Sequence, residues 1–230
     1  MYIVNIETST KVCGVSLAKE GQLIDHIESN EGNSHAANLA PFIDKIIKQN
    51  KIKYEDLSAI AISKGPGSYT GLRIGTSTAK GLCYSLNIPL IAINTLESMA
   101  AHAKNLYSNN FDGIFRPMID ARRMEVYSQA FNADIEELND VKAIVVDEES
   151  FKEELENKQV IFFGDGAKKC MEIINHKNAM YFDQAQASAL GMVNLSFEAF
   201  KLQKFEDVAY FEPFYLKEFI AAISKVKGLR

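Results

Sequence analysis

The chain opens on short runs in which apolar residues alternate with polar ones. Residues 2–7 and 12–19 read as strands around a Thr8-Ser9-Thr10 turn, and residues 22–28 as a third strand after Gly21. The period then lengthens. Ala36, Leu39, Ala40, Ile43, Ile46 and Ile47 fall on one face of a helix that Asn33 or Ser34 would cap. Pro41 lies inside that pattern, so the regular part of the helix is expected to begin close to it. Residues 58–63 return to strand, a glycine-rich loop follows, and a helical run continues to residue 86. A strand at 89–93 comes next, then Asn94 with Glu97 as the cap of a helix ending near residue 106.

Asn109-Asn110-Phe111-Asp112-Gly113 is the clearest break. After it the opening theme returns as a strand at 114–120, a turn at Ala121-Arg122-Arg123 and a strand at 124–131. Ile6-Glu7 and Ile119-Asp120 end the two first strands in the same way. Ser150 and Glu153 have capping-box spacing before a short acidic helix, and a strand follows at 160–163. Gly164-Asp165-Gly166 turns into a helix carrying Met171, Ile173 and Ile174. A last helix, residues 187–203, carries Ala189, Leu190, Val193, Phe197 and Phe200 on one side. This pattern predicts an α/β chain of two related lobes, 1–108 and 109–230, each opening on a β-hairpin. The C-terminal segment is expected to pack back on the first lobe.

The segment from Ser63 to Gly75 is the most specific part of the sequence. Gly65 and Gly67 bracket Pro66, so the backbone can turn tightly and present bare N–H groups. Gly71, Gly75 and Ala79 recur every four residues and Cys83 extends the line, giving a helix one nearly side-chain-free stripe. The loop suggests an anion site and the stripe suggests close approach of a second helix. Neither standard phosphate motif fits, because Gly71 is followed by Leu72-Arg73 and the spacing from Gly67 to Gly71 is too long for a dinucleotide fingerprint.

Composition narrows the classes. With 25 basic and 30 acidic side chains the formal charge is −5, so no global field draws in nucleic acid. Cys13, Cys83 and Cys170 are odd in number and far apart, which suits reduced, buried thiols in a cytosolic protein. The start lacks a signal-peptide pattern and no apolar run approaches a membrane span, so a cytoplasmic chain is expected.

Ile6-Glu7-Thr8-Ser9, the stretch from Gly65 to Gly75, Asp120-Ala121-Arg122-Arg123 with Glu125-Val126-Tyr127, and the tail Pro213-Phe214-Tyr215-Leu216-Lys217 together resemble the TsaB (YeaZ) family of the actin, sugar kinase and heat-shock ATPase superfamily. The resemblance implies two duplicated actin-like (ribonuclease H-like) lobes, each a mixed β-sheet with helices. It implies a non-catalytic subunit that pairs with a TsaD-like protein, which transfers a threonylcarbamoyl group to the adenosine beside the tRNA anticodon. A TsaE-like ATPase would join the pair, tRNA would be met only through the complex, and the chain alone would form a homodimer. On this resemblance the partner interface is expected at His35, Leu39, Ile43, Gly71, Leu72, Gly75 and Ala79. Two residues depart from the family pattern: Met124 where a Gly often stands, and Lys217 where Arg is common.

The chemistry of the residues argues against catalysis by this chain. The His-x-x-x-His metal pair of TsaD-like proteins is reduced here to His35 with Leu39 at the second position, so no metal is expected. His26, His102 and His176 have no ligand spacing. Glu7-Thr8-Ser9-Thr10 keeps hydroxyls but has the longer Glu and no Gly where kinases of the superfamily hold phosphate. Thr8, Ser9, Thr10, Gly65, Gly67 and Ser68 form the candidate anion or nucleotide set, and Asp120 with Arg122 a candidate polar site. No cofactor is required on this reading, with ATP or ADP at a subunit interface left open. The alternatives are an ATP-binding kinase or ATPase of the same fold and, further off, a glycoprotease-like metallohydrolase.

Overall fold

The computed structural model describes residues 1–31, 35–107 and 111–217. Asn33 and Ser34, the expected helix caps, and the expected boundary at 108/109 lie outside the described residues.

Three strands open the chain: β1 (Tyr2–Glu7), β2 (Cys13–Lys19) and β3 (Gln22–Ser29). Helix α1 (His35–Gln49), β4 (Leu57–Gly65), α2 (Tyr69–Leu86), β5 (Leu90–Asn94) and α3 (Thr95–Leu106) complete the first half. The second half runs β6 (Ile114–Asp120), β7 (Glu125–Ser128), β8 (Lys142–Val145), α4 (Lys152–Asn157), β9 (Val160–Phe163), α5 (Ala167–Cys170), β10 (Ala179–Tyr181) and α6 (Met192–Lys201).

Two five-stranded sheets result, ordered β3-β2-β1-β4-β5 and β8-β7-β6-β9-β10. In each sheet the first three strands form antiparallel neighbours, while the first strand pairs in parallel with the fourth and the fourth with the fifth. The repeated order is the duplication that the two hairpins suggested. Alternation puts Val4 and Ile6 of β1 against α1 and α2, while Ile3 faces α6. In the second sheet Phe115 and Ile119 face α3, whereas Ile114 and Met118 face the α4–α5 side. Helices α3 and α6 therefore lie between the sheets, each packing on a strand of the other half.

Some local expectations change. Asn94 caps α3 through a bond from the Leu96 N–H at 2.9 Å. Ser150 and Glu153 form no capping box: Ser150 closes a turn with Asp147 at 2.8 Å and Phe151 takes the N-cap position. The last helix begins at Met192, after a 3-10 turn at Ala189–Gly191 capped by Ser188.

Beyond α6 the chain straps the first lobe. Glu206 N–H donates to the Leu90 carbonyl at 2.9 Å, Lys80 Nζ to the carbonyls of Ala209 and Phe211 at 3.0 and 3.1 Å, and Phe214 N–H to Lys64 at 2.7 Å. Phe211 enters the first core, and the Tyr215 ring meets Tyr69 at 4.8 Å. Lys217 then reaches the second lobe through an ion pair with Glu125.

Candidate functional site

The glycine loop does meet the first hairpin, but face to face. Ser68 N–H donates to the Ser9 carbonyl at 2.6 Å, while its side chain caps α2 by accepting from Gly71 N–H at 3.3 Å. A β-carbon on Gly67 would collide with Ser9, whose own Cβ would be 2.8 Å away. One on Gly71 would collide with the Thr8 carbonyl oxygen, and one on Gly75 with Thr8 Oγ1 and with Ile62 Cδ1 at 2.9 Å. Leu72, Ala79 and Cys83 are likewise buried. The bare stripe thus faces its own β1–β2 hairpin and β4. This corrects the expectation that Gly71, Leu72, Gly75 and Ala79 meet a partner: the small residues Gly71, Gly75 and Ala79 serve close packing inside the chain, and Leu72 is part of its buried interior.

Beneath the hairpin the Glu7 carboxylate is wholly buried. Its Oε1 accepts from Ser9 N–H at 2.6 Å, Ser9 Oγ at 2.5 Å and Ser63 Oγ at 3.0 Å, while Oε2 meets no partner atom. Burial raises its pKa above the ordinary carboxylate value, against the lowering by Ser9 and Ser63. The candidate anion set is brought together here, with three of its backbone N–H groups already engaged and Thr8 Oγ1 buried without a hydrogen-bond partner. Ser9 N–H is held by Glu7, Ser68 N–H by Ser9, and Gly65 N–H by Thr95 Oγ1 at 3.1 Å. Thr10 Oγ1 accepts from Val12 N–H at 3.3 Å. What the hairpin turns toward the loop is the carbonyl oxygens of Thr8 and Ser9, the wrong polarity for a phosphate.

On α1 the expected contact residues also point inward. Leu39 and Ile43 are core, and His35 is 8% exposed. The His35 Nε2 lies 3.1 Å from the Val12 carbonyl, which can only accept, so the ring donates there and pins the start of α1 to the residue just before β2. The outward face of α1 carries Ala36, Ala37, Ala40, Pro41, Lys45 and Lys48. Next to it, α2 presents Thr70, Arg73, Ser77, Gly81 and Tyr84, the last 85% exposed. These outward residues were missed because the apolar period draws attention to the buried face. Ala36 and Ala40 belong to that apolar period and yet are exposed, and their small size beside Leu39 and Ile43 is the signal that could have found them.

In the second lobe the matching hairpin is more open. Asp120 Oδ1 accepts from Arg122 N–H at 2.9 Å and from Lys169, so Asp120 and Arg122 meet through the turn backbone and not through the guanidinium. Asp120 N–H in turn donates to Asp165 Oδ1 at 2.9 Å. Burial, aided by the charge of Asp120, raises the Asp165 pKa above the usual carboxylate value.

Comparison with known proteins places this architecture. A family model described as TsaD: tRNA N6-adenosine threonylcarbamoyltransferase matches residues 26–225. The tRNA threonylcarbamoyladenosine biosynthesis protein TsaB of Bacillus subtilis (strain 168) is 38% identical over 128 residues, 56% of this chain and 54% of that protein. In that match the chain spans about half the length of the Bacillus relative. The Haemophilus influenzae protein of the same name is 28% identical over 226 residues, 94% of each chain. The chain belongs to the TsaD family, in its TsaB (YeaZ) branch. Among solved structures, a Pseudomonas aeruginosa protein described by its similarity to peptidase YeaZ superposes with a TM-score of 0.81 at 21% identity, over 94% of this chain and 99% of that one. The activator of the 2-hydroxyisocaproyl-CoA dehydratase from Clostridium difficile, solved with bound ADPNP, gives 0.50 at 13% identity, over 89% and 97%. Both likenesses speak for the fold alone.

Among the described residues of this TsaB-branch chain, no three His, Cys, Asp or Glu side chains gather as metal ligands. Cys13, Cys83 and Cys170 are free and buried, and burial pushes the Cys13 and Cys83 thiols up to about 11, away from the reactive thiolate. No helix among the described residues is long and apolar enough to cross a membrane.

Proposed function

We propose that the chain is a non-catalytic subunit in the threonylcarbamoylation of tRNA adenosine, acting in the cytoplasm beside a TsaD-like catalytic protein. The observation that carries this is the closed first hairpin. Thr8 and Ser9 turn carbonyl oxygens to the glycine loop and Glu7 lies buried below, so the place where the superfamily holds nucleotide phosphate is filled by the chain itself. A protein built this way contributes surface in place of chemistry. The names of the TsaB relatives support the pathway.

The surface we assign to the partner is the outward side of α1 and α2, from Ala36 and Ala40 across to Ser77, Gly81 and Tyr84. Its residues are mostly small, so a facing helix can come near without displacing side chains. A second copy of the chain would use the same face when the partner is missing, and a TsaE-like ATPase would join the pair. Any ATP or ADP would then sit between subunits, outside this hairpin.

The test is reconstitution. The chain alone is expected neither to modify tRNA nor to turn over ATP, and the TsaD-like protein is expected to need it for activity. Nucleotide turnover by the purified chain, abolished by Asp120→Asn, would overturn the assignment and favour an actin-like ATPase.

A further inference from the structure

The second lobe carries a polar group that neither the hairpins nor the outward helix faces use. Arg116 stands in the middle of β6, on the sheet face that packs α4 and α5, and is 4% exposed. Its neighbours along that face, Ile114 and Met118, are apolar core. Its Nη2 donates to Glu154 Oε1 at 2.8 Å, and its guanidinium carbon lies 4.5 Å from the centre of the Phe151 ring. The other two guanidinium nitrogens, Nε and Nη1, meet no acceptor of the chain, and Glu154 Oε2 meets no donor. A buried guanidinium with one hydrogen-bonded nitrogen is poorly repaid for leaving water.

Beside these groups lies a cavity of about 370 Å³, walled by Arg116, Asn139, Lys142, Phe151, Glu154 and their neighbours. Phe151 covers the guanidinium from a left-handed backbone, φ +65°, which a bulky aromatic residue rarely adopts. In this conformation the ring lies over the guanidinium.

We propose that this cavity binds a small zwitterion of the α-amino acid class, its carboxylate accepting from Arg116 and its ammonium donating to Glu154. The charge around it selects that class. Four carboxylates (Asp140, Glu149, Glu153, Glu154) line the cavity against three cations (Arg116, Lys142, Lys152), and Lys152 is paired with Glu149 at 2.9 Å. A plain carboxylate ligand would meet surplus negative charge, and a plain amine would leave the Arg116 donors unmet. A molecule bearing both groups offers an acceptor to one of the open Arg116 nitrogens and a donor to Glu154 Oε2. Because Phe151 covers Arg116, the ring turns aside when the ligand enters.

Calorimetric titration of the purified chain with each common amino acid, and with propionate and propylamine as single-headed probes, decides the matter. At least one amino acid is expected to bind saturably, one molecule per chain, at concentrations where neither single-headed probe binds. Phe151→Gly removes the cover and suits the left-handed backbone, so it should bind severalfold more tightly. Glu154→Gln should weaken binding by about tenfold, the scale of one charge-assisted hydrogen bond. Absence of binding by every amino acid, propionate binding as well as the amino acids, or undiminished affinity in a folded Glu154→Gln chain would each overturn the proposal. The wild-type panel answers the question even if a variant does not fold. The site lies on the other sheet from α1 and α2, so its failure leaves the subunit role untouched.

Discussion

A β-carbon placed on Gly71 would fall inside the carbonyl oxygen of Thr8, with the carbonyl carbon 3.3 Å away. Helix α2 can lie this close to the first hairpin only because that position has no side chain. Gly71→Ala is therefore expected to destabilise the chain by about 1–3 kcal/mol, the range for overpacking. Gly75→Leu, aimed at Thr8 Oγ1 and Ile62, should cost more and leave little folded protein. Gly81 on the outward face has open space around it, so Gly81→Ala should stabilise by about 0.5–1 kcal/mol through the lost freedom of glycine. Urea unfolding of the three variants checks the order. A Gly71→Ala chain as stable as wild type would mean that the hairpin yields.

The same open space makes Gly81 the place to test the partner face. Gly81→Arg and Ala40→Arg add large charged side chains where nothing of the chain itself is in the way. Ala40→Arg should leave the unfolding midpoint nearly unchanged, and Gly81→Arg should raise it slightly, as Gly81→Ala does. Both should weaken association with the TsaD-like protein, and self-association of the chain alone, by more than about tenfold, or ~1.4 kcal/mol. Calorimetric titration and sedimentation measure the two. Unchanged affinity in both variants would move the interface elsewhere.

The C-terminal strap is held by packing more than by its charged end. Phe211 is 8% exposed within the first core, whereas the Lys217–Glu125 pair is about half exposed on the lysine side, at 47%. Phe211→Ala is expected to cost about 3–5 kcal/mol. Lys217→Ala should cost less than about 1 kcal/mol, as exposed ion pairs do. Thermal unfolding separates the two. A larger loss for Lys217→Ala would make the pair between the lobes the main fastening.

The parts of this fold that the sequence reveals are those with one buried face. Strands β1, β4, β6 and β9 and helices α1 and α3 carry dense apolar periods or caps, and their positions follow from these. Strands β8 and β10 do not. They are short edge strands whose residues are mostly half-exposed, so no side of them is stamped with an apolar pattern. Only the repeated strand order would have called for them. The site shows a different limit. The stripe of Gly71, Gly75 and Ala79 announces close approach but not by what. Both faces of α2 are poor in large apolar residues, and the partner that decides the direction, Thr8, lies more than sixty positions away in sequence.

Glu7 gives the pH prediction. Its carboxyl is buried without a compensating cation, and burial raises its folded pKa above the 4.5 of the free group. Between those two values the folded chain keeps a proton that the unfolded chain has released. The folded state therefore binds more protons, and stability contributed by this group is present below the unfolded value and lost as pH rises toward the folded one. Glu7→Gln has no proton to lose and keeps an oxygen for Ser9 and Ser63, although its amide nitrogen takes the place of the unpartnered Oε2. The stability of the Gln variant relative to wild type should thus climb with pH above 4.5 and level off once the folded carboxyl is ionised. Urea unfolding of both chains across the acid-to-neutral range measures this difference directly. A difference that falls as pH rises would show that the bonds from Ser9 and Ser63 outweigh burial, and that the buried group is held as an anion.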